Sequence, residues 1–157
     1  MEIEPRMTRG EQIAAVAGAI SRLSSGGRAR IRRGDIGSEY WQVWSSAGLG
    51  DTRGVLAERW TRFIVAVANF IGTGSGDQII SKESLGRTMQ RSNISEIRFE
   101  KLIAAPAETR ADLADRIVRQ LAKTVNSINL FDLADLYLNE EPRRLREIAA
   151  GYYLSSH

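Results

Sequence analysis

Apolar residues recur at steps of three and four along most of this 157-residue chain. This spacing places them on one face of an α-helix, and the run Ile13, Val16, Ala17, Ile20 and Leu23 is a clear example. No segment alternates apolar and polar residues for long enough to predict a half-buried strand. The sequence therefore predicts an all-α protein with about seven or eight helices.

Capping signals indicate where several helices begin. Thr8 followed by Glu11 has the pattern of a capping box, and Ser95 precedes another apolar run. Pro142 stands where a proline is tolerated, in the first turn of a last helix. Residues 24–27, with the sequence Ser-Ser-Gly-Gly, are expected to stop the first helix. Asp51 or Thr52 is expected to open the helix with the strongest apolar stripe.

A glycine-rich stretch divides the chain near its middle. Residues 72–77 are predicted to form a flexible loop within a single helical domain, 1–157, joining sub-bundles of about 8–72 and 80–157. The stretch superficially resembles a phosphate-binding loop. However, it follows a predicted helix rather than a strand and lacks the Gly-Lys-Ser/Thr ending, so we interpret it as a linker.

The residue inventory excludes most catalytic and metal-binding chemistry. The chain has no cysteine, and His157 is its only histidine. The acidic pairs Asp112 with Asp115 and Asp132 with Asp135 are interpreted as helix-start residues that interact with the helix dipole. We predict no catalytic residue, no metal site and no cofactor, and hence a protein that is not an enzyme.

The hydropathy pattern predicts a soluble, cytoplasmic protein. The first residues are charged and do not resemble a secretory signal. The most apolar stretch, Phe63 to Ile71, is too short to span a bilayer. We expect no membrane partner.

The basic residues are overwhelmingly arginines. Only three of the 22 basic residues are lysines, so 19 are arginines, although the net charge is only +3. Arginine suits bidentate contact with phosphates, and it equally suits pairing with carboxylates of a partner subunit.

Two basic clusters are the main candidates for binding nucleic-acid backbone. The first surrounds Ile31, a predicted buried anchor, and consists of Arg28, Arg30, Arg32 and Arg33. The second flanks a turn and consists of Arg87, Arg91, Arg98 and Lys101. Arg87 and Arg91 would repel each other on one helical face, since no acid lies at positions 88–90, and phosphate contact would offset this cost.

Two further basic sets rank lower. One helical stripe carries Arg116, Arg119 and Lys123. Of these three residues, Arg119 is predicted to contact nucleic acid. Asp112 and Asp115 lie one turn earlier and are expected to neutralise part of the stripe. The set Arg143, Arg144 and Arg146 is close to neutral because of its glutamate neighbours. These C-terminal residues are assigned to pairing or to subunit contact.

Three tryptophans, Trp41, Trp44 and Trp60, have helical spacing, which favours core packing over stacking on bases. The sequence shows no zinc-finger spacing, no aromatic strand motif and no clear recognition helix. Sequence-specific recognition of nucleic acid is therefore not expected.

The order of these features resembles the CasB family, the small subunit of the type I-E CRISPR surveillance complex, Cascade. The resemblance extends over nearly the whole chain from about Glu11. The matching segments are Ala29–Gly34, Leu85–Arg91, Ile94–Phe99 leading to Leu102, Leu113–Leu121, Phe131–Leu136 and Ala149–Tyr153. One departure is Ile148-Ala149-Ala150, where the family often has Trp-Ala-Arg before its terminal tyrosine.

The resemblance implies a non-catalytic, all-helical subunit for antiviral defence. Its implied partners are the guide RNA, the target and non-target DNA strands, the Cascade backbone and large subunits, and a second copy arranged head-to-tail. It would stabilise guide–target pairing and the displaced strand through sequence-independent backbone contacts. The alternative that the residues leave open is a helical protein–protein adaptor or regulatory subunit whose arginines pair with acidic partner surfaces.

Overall fold

The computed structural model describes residues 6–70, 80–138 and 142–154. Within these ranges the chain forms nine α-helices and no strand, which confirms the predicted all-α class and exceeds the expected seven or eight helices. The helices are α1 (Arg9–Ser21), α2 (Ser25–Arg32), α3 (Ser38–Ser46), α4 (Gly54–Ala68), α5 (Leu85–Arg91), α6 (Glu96–Ala104), α7 (Ala107–Ala122), α8 (Leu130–Leu138) and α9 (Pro142–Leu154). The predicted loop 72–77 lies outside the described residues.

Several predicted helix starts are confirmed. Thr8 and Glu11 form the expected capping box, with each side chain accepting from the other's backbone N–H at 3.1 Å. The Ser95 hydroxyl accepts a hydrogen bond from the backbone of α6. Pro142 is the first residue of α9. These interactions join residues close in sequence, so local pattern was sufficient to predict them.

Other boundaries differ from expectation. Residues 24–27 follow the end of α1, but they also begin α2, because the Ser24 hydroxyl accepts from the N–H of Gly27 at 3.0 Å. The predicted start of α4 at residue 51 or 52 was wrong, since α4 begins at Gly54 after an Arg53 that makes no side-chain cap bond. The start of α5 at Leu85 likewise has no side-chain cap bond from the preceding Ser84.

The core is continuous across the two halves of the sequence, because α4 from the first half packs against α8 from the second. Trp60 and Phe63 of α4 lie edge-to-face at 5.8 Å, and Phe63 contacts Tyr137 of α8 at 6.4 Å between ring centroids. None of the helices in the described ranges is long and apolar enough to cross a membrane. Nothing in this packing tests the division into two sub-bundles, which stays a prediction.

Two of the exposed large apolar side chains are Trp41 and Ile97, of which Trp41 was predicted to pack in the core. Trp44 and Trp60 are buried as expected, but Trp41 is 53% exposed. Trp41 follows the buried Tyr40 by one residue, about 100° around the helix, which places it at the rim of the buried face. Ile97 is 66% exposed, because Phe99 and Leu102 occupy the buried face of α6.

The backbones of α5 and α9 approach each other very closely. An alanine Cβ at Gly86 would lie 1.9 Å from the carbonyl oxygen of Ile148, and one at Gly151 would lie 1.9 Å from the Ser84 hydroxyl. Glycine at both positions is therefore required by this contact. Tyr152, one residue further along α9, stacks on the ring of Phe99 at 4.1 Å, which joins α6 to the same assembly.

The two aspartates of α8 do not both act at their own helix start. The Asp132 carboxylate accepts from the N–H of Leu85 at 2.9 Å and so caps α5, while Asn129 accepts from the N–H of Asp132. Partial burial raises the pKa of Asp135 to about 6. The nearby Asp132 and Glu147 carboxylates act in the same direction, and Arg144 and Arg9 oppose them.

Asp135→Asn is expected to flatten the pH dependence of stability. A carboxyl whose pKa is raised on folding retains its proton in the folded state, so stability falls as pH rises from about 4 to about 6. Relative to wild type, the variant is expected to gain about 1 kcal/mol of unfolding free energy as the pH rises from 4 to 7.5. The expected gain is this small because solvent screens the charge of a partly exposed group. Urea unfolding across this pH range measures it.

The matched control is Asp51→Asn, which removes an exposed carboxylate. The effect assigned to Asp135 is the part of the pH-dependent change in stability that Asp51→Asn does not reproduce. Equal pH slopes for wild type and Asp135→Asn would contradict the assignment.

Candidate nucleic-acid interface

The first predicted basic cluster is largely engaged within the protein. Arg28 donates to the carbonyl of Leu23 at 2.6 Å, and Arg30 forms an ion pair with Glu39 of α3. Arg33 lies 3.6 Å from Asp35, with both side chains more than half exposed. The predicted burial of Ile31 is confirmed at 1% exposure. Of the four arginines, Arg32 is the exposed one for which the described residues provide no ion-pair partner.

The second predicted cluster also contains an internal ion pair. Arg91 donates to Glu83 at 2.8 Å, and Thr88 donates to the same carboxylate oxygen at 2.7 Å. Hydrogen bonds from Arg91 and Thr88 lower the pKa of Glu83. Glu83 lies in the turn before α5, outside positions 88–90, so the prediction from the sequence did not include this acid. The predicted repulsion between Arg87 and Arg91 is therefore reduced without any phosphate.

The acidic residues of α7 bind across the core rather than along their own helix. Arg62 of α4 donates to both Asp112 and Asp115 at 2.7 Å. Tyr137 of α8 donates to the second oxygen of Asp115 at 2.5 Å. The assignment of this pair to a helix start was wrong, because α7 begins at Ala107, more than a turn earlier. Both carboxylates bind Arg62, and among the described residues neither forms an ion pair with Arg116 or Arg119.

One groove between α6 and α7 is basic. Arg98, Lys101 and Arg116 line a cavity of about 150 Å³ together with Leu113 and Ile117. Arg98 donates to the side-chain carbonyl of Gln120 at 2.5 Å. Since that acceptor is neutral, it orients the guanidinium without cancelling its charge.

A second, smaller cavity brings together two arginines that are distant in sequence. Arg32 of α2 and Arg119 of α7 line a space of about 70 Å³ above Asn69 and the end of α4. Asp115 also lines it, but Arg62 and Tyr137 occupy both of its carboxylate oxygens. Neither arginine forms an ion pair with Asp115, so both guanidinium groups keep donors for an external anion.

The two cavities lie on different flanks of α7, and the exposed Arg116 and Arg119, three residues apart on the helix, project between them. We call this region the α7 basic surface. It consists of Arg32, Arg98, Lys101, Arg116 and Arg119. In the described part of the chain, no carboxylate pairs with any of the five.

The α7 basic surface includes four of the nine residues predicted to contact nucleic acid. It also includes Arg116, which belongs to one of the basic sets that ranked lower. The structure does not bring the remaining five into it; these are Arg28, Arg30, Arg33, Arg87 and Arg91. No local sequence signal would have raised Arg116 in rank, because the contact of Arg62 with the α7 aspartates depends on the packing of α4 against α7. Among the described residues, no group of three possible metal ligands is close enough to hold an ion.

Comparisons with known proteins do not identify a family. No protein-family model matches the chain. It is similar to the α-1,4 glucan phosphorylase L isozyme, chloroplastic/amyloplastic, of Ipomoea batatas, with 23% identity over 154 residues. The match covers 96% of this chain but only 16% of that enzyme, so it does not place the chain in the enzyme's family. No solved structure matches.

Proposed function

We propose that this chain is the non-catalytic small subunit of a type I-E CRISPR surveillance complex, in which the α7 basic surface holds nucleic-acid backbone. The observation that carries the proposal is the grouping of five cations from α2, α6 and α7, none of which forms an ion pair with a carboxylate among the described residues. The family named in this proposal rests on the order of the CasB-like segments in the sequence. The all-helical fold agrees with that family's architecture.

The charge arrangement supports a contact with phosphates rather than with bases. Five cations on α7 and its two flanks suit a polyanion that follows the surface, and each contact releases counterions from the strand. Arginine forks bind phosphate oxygens in bidentate geometry. Such contacts carry no sequence information, which suits a complex in which guide pairing determines the target.

The energetics of such a complex make modest contacts effective. Replacing a DNA duplex with an RNA–DNA hybrid is nearly balanced in free energy, so a few backbone contacts can shift the equilibrium. In this proposal the subunit acts in the cytoplasm beside the guide RNA, the two DNA strands, the large and backbone subunits and a second copy of itself. It performs no covalent chemistry.

Replacing Arg32, Arg116 and Arg119 together with alanine is expected to weaken binding to single-stranded DNA. Each lost phosphate contact lowers the salt slope, log Kd against log salt, by about 0.7, so three contacts remove about 2. Affinity at low salt is expected to fall at least tenfold. Fluorescence anisotropy with a labelled oligonucleotide, titrated from about 50 to about 200 mM salt, measures both quantities.

The matched control removes Arg143 and Arg146, two exposed arginines of α9 outside the α7 basic surface. This double variant is expected to retain the wild-type salt slope. If the triple variant also retained it, the nucleic-acid proposal would fail for this surface. The alternative adaptor function, with the arginines facing an acidic protein, would then account for them.

A further inference from the structure

An exposed indole lies beside an apolar groove at the start of α4. Trp41 is 53% exposed and lines, with Trp44 and residues 50 and 52–54, a groove of about 510 Å³. An alanine Cβ at Gly50 or Gly54 would meet no atom within 4 Å, so this side of the groove is open. The groove is separate from both cavities of the α7 basic surface.

Neighbouring aromatic rings fix the position of the indole. Trp41 meets the ring of Tyr40 at 4.9 Å and that of Trp44 at 6.1 Å, both in edge-to-face geometry. Tyr40 is itself held by a hydrogen bond of 2.6 Å between its hydroxyl and that of Thr61 on α4. A ligand that stacks on this indole therefore immobilises little additional side-chain freedom.

The groove also carries a positioned positive charge. Arg53 donates through one guanidinium nitrogen to the carbonyl oxygens of Gly50 at 2.6 Å and Thr52 at 3.0 Å. Among the described residues that line the groove, Arg53 is the only charged side chain. Both of its acceptors are neutral carbonyls, so its charge is available to an anion.

We propose that this groove binds one unpaired nucleobase of a single strand, which stacks on Trp41 while the adjacent phosphate contacts Arg53. An exposed aromatic ring beside an arginine is the combination that single-strand binding surfaces use, and it accepts any base. The proposal rests on the proposed function, since it assigns a base contact to a strand whose backbone the α7 basic surface holds.

The two sites are compatible with one strand. The groove includes Gly54 and Ala57 at the beginning of α4, and the cavity with Arg32 and Arg119 includes Ala66 near its end. Residues 54 and 66 are separated by about 18 Å along the helix axis. A bound segment within the usual range of about 4 to 16 nucleotides is long enough to span this axial distance.

The test compares oligo(dT) with a strand of equal length that carries abasic sites. Trp44 and Trp60 are buried, so quenching of tryptophan emission by acrylamide reports mainly on Trp41. Oligo(dT) is expected to shield Trp41 from acrylamide or to quench its emission directly. The abasic strand is expected to do neither. Trp41→Ala is expected to weaken oligo(dT) binding about tenfold and to leave abasic-strand binding and the salt slope unchanged.

Two variants control for loss of folding and for exposed aromatic area. Trp41→Phe retains a ring that stacks and is expected to recover most of the oligo(dT) affinity. Phe131→Ala removes a 41% exposed aromatic side chain of α8 and is expected to bind both strands as the wild type does.

Two results, each with salt-dependent binding of both strands, would overturn the groove assignment alone. In the first, Trp41→Ala weakens the binding of both strands equally. In the second, the change in tryptophan emission does not depend on whether the strand carries bases. Either result would leave the α7 basic surface intact and make the groove a protein contact. Absence of salt-dependent binding to either strand would overturn the proposed function, and this inference with it.

Discussion

Gly86→Ala is expected to lower the free energy of unfolding by about 3 kcal/mol or more, since overpacking against rigid atoms is among the largest single-residue effects. The added Cβ would lie 1.9 Å from the Ile148 carbonyl oxygen and 2.6 Å from the Tyr152 backbone nitrogen. Both atoms belong to the backbone of α9, so no side-chain rotation relieves the clash. The helix itself must move.

Movement of α9 disturbs a well-packed region. Tyr152 stacks on Phe99 of α6 and donates a hydrogen bond of 2.6 Å to the carbonyl of Ile94. Ile94, Phe99 and Ile148 are all buried. Displacing α9 therefore costs packing at three helices as well as the local clash, which is why a single methyl group is expected to have a large effect.

Urea unfolding followed by far-ultraviolet circular dichroism measures this change. The matched control is Gly50→Ala, because Gly50 has no left-handed φ and an added Cβ there would meet no atom within 4 Å. The control is expected to change the free energy of unfolding by less than about 0.5 kcal/mol. A Gly86→Ala protein as stable as the control would contradict the close approach of α5 and α9.

Asp115→Ala is expected to lower the free energy of unfolding by about 3 kcal/mol, because it removes an acceptor from each of two partners. One is Arg62, which loses one of its two carboxylates. The other is the hydroxyl of Tyr137, a residue that is 1% exposed and donates to Asp115 at 2.5 Å. Burial, followed by the Asp115 charge, raises the pKa of Tyr137 well above its ordinary value, so this hydroxyl remains a donor at neutral pH.

Asp112→Ala provides a close comparison within the same helix. Arg62 donates to Asp112 at the same distance of 2.7 Å, but the Asp112 side chain is 67% exposed whereas that of Asp115 is 29% exposed. An exposed pair contributes about 0.5 kcal/mol, since water and salt screen it. Thermal and urea unfolding of both variants test the difference, and equal losses would refute the importance of the buried Tyr137 contact.

The fold class was predictable because helix formation is governed by short-range patterns. Apolar spacing, the Thr8–Glu11 capping box, the Ser95 cap and the first-turn Pro142 all involve residues within a few positions of one another. The predicted helix boundaries were wrong where the first residue of a helix follows no side-chain cap, as at Gly54. The exposure of Trp41 was missed because helical spacing alone does not show how wide the buried face is.

The candidate site was predictable only in part, because ion pairing depends on packing between helices. The sequence alone identified arginine as the dominant cation and located four residues of the α7 basic surface. Only the tertiary structure showed that Glu83 reaches Arg91 and that Arg62 binds aspartates some fifty residues away, through contacts with sequence separations of 50 and 53. A Coulombic partner is chosen by distance in space, and that distance is set when α4, α7 and α8 pack together. Local sequence therefore determined the helices and their charges, whereas tertiary packing decided which charges are neutralised inside the protein and which remain available to a partner.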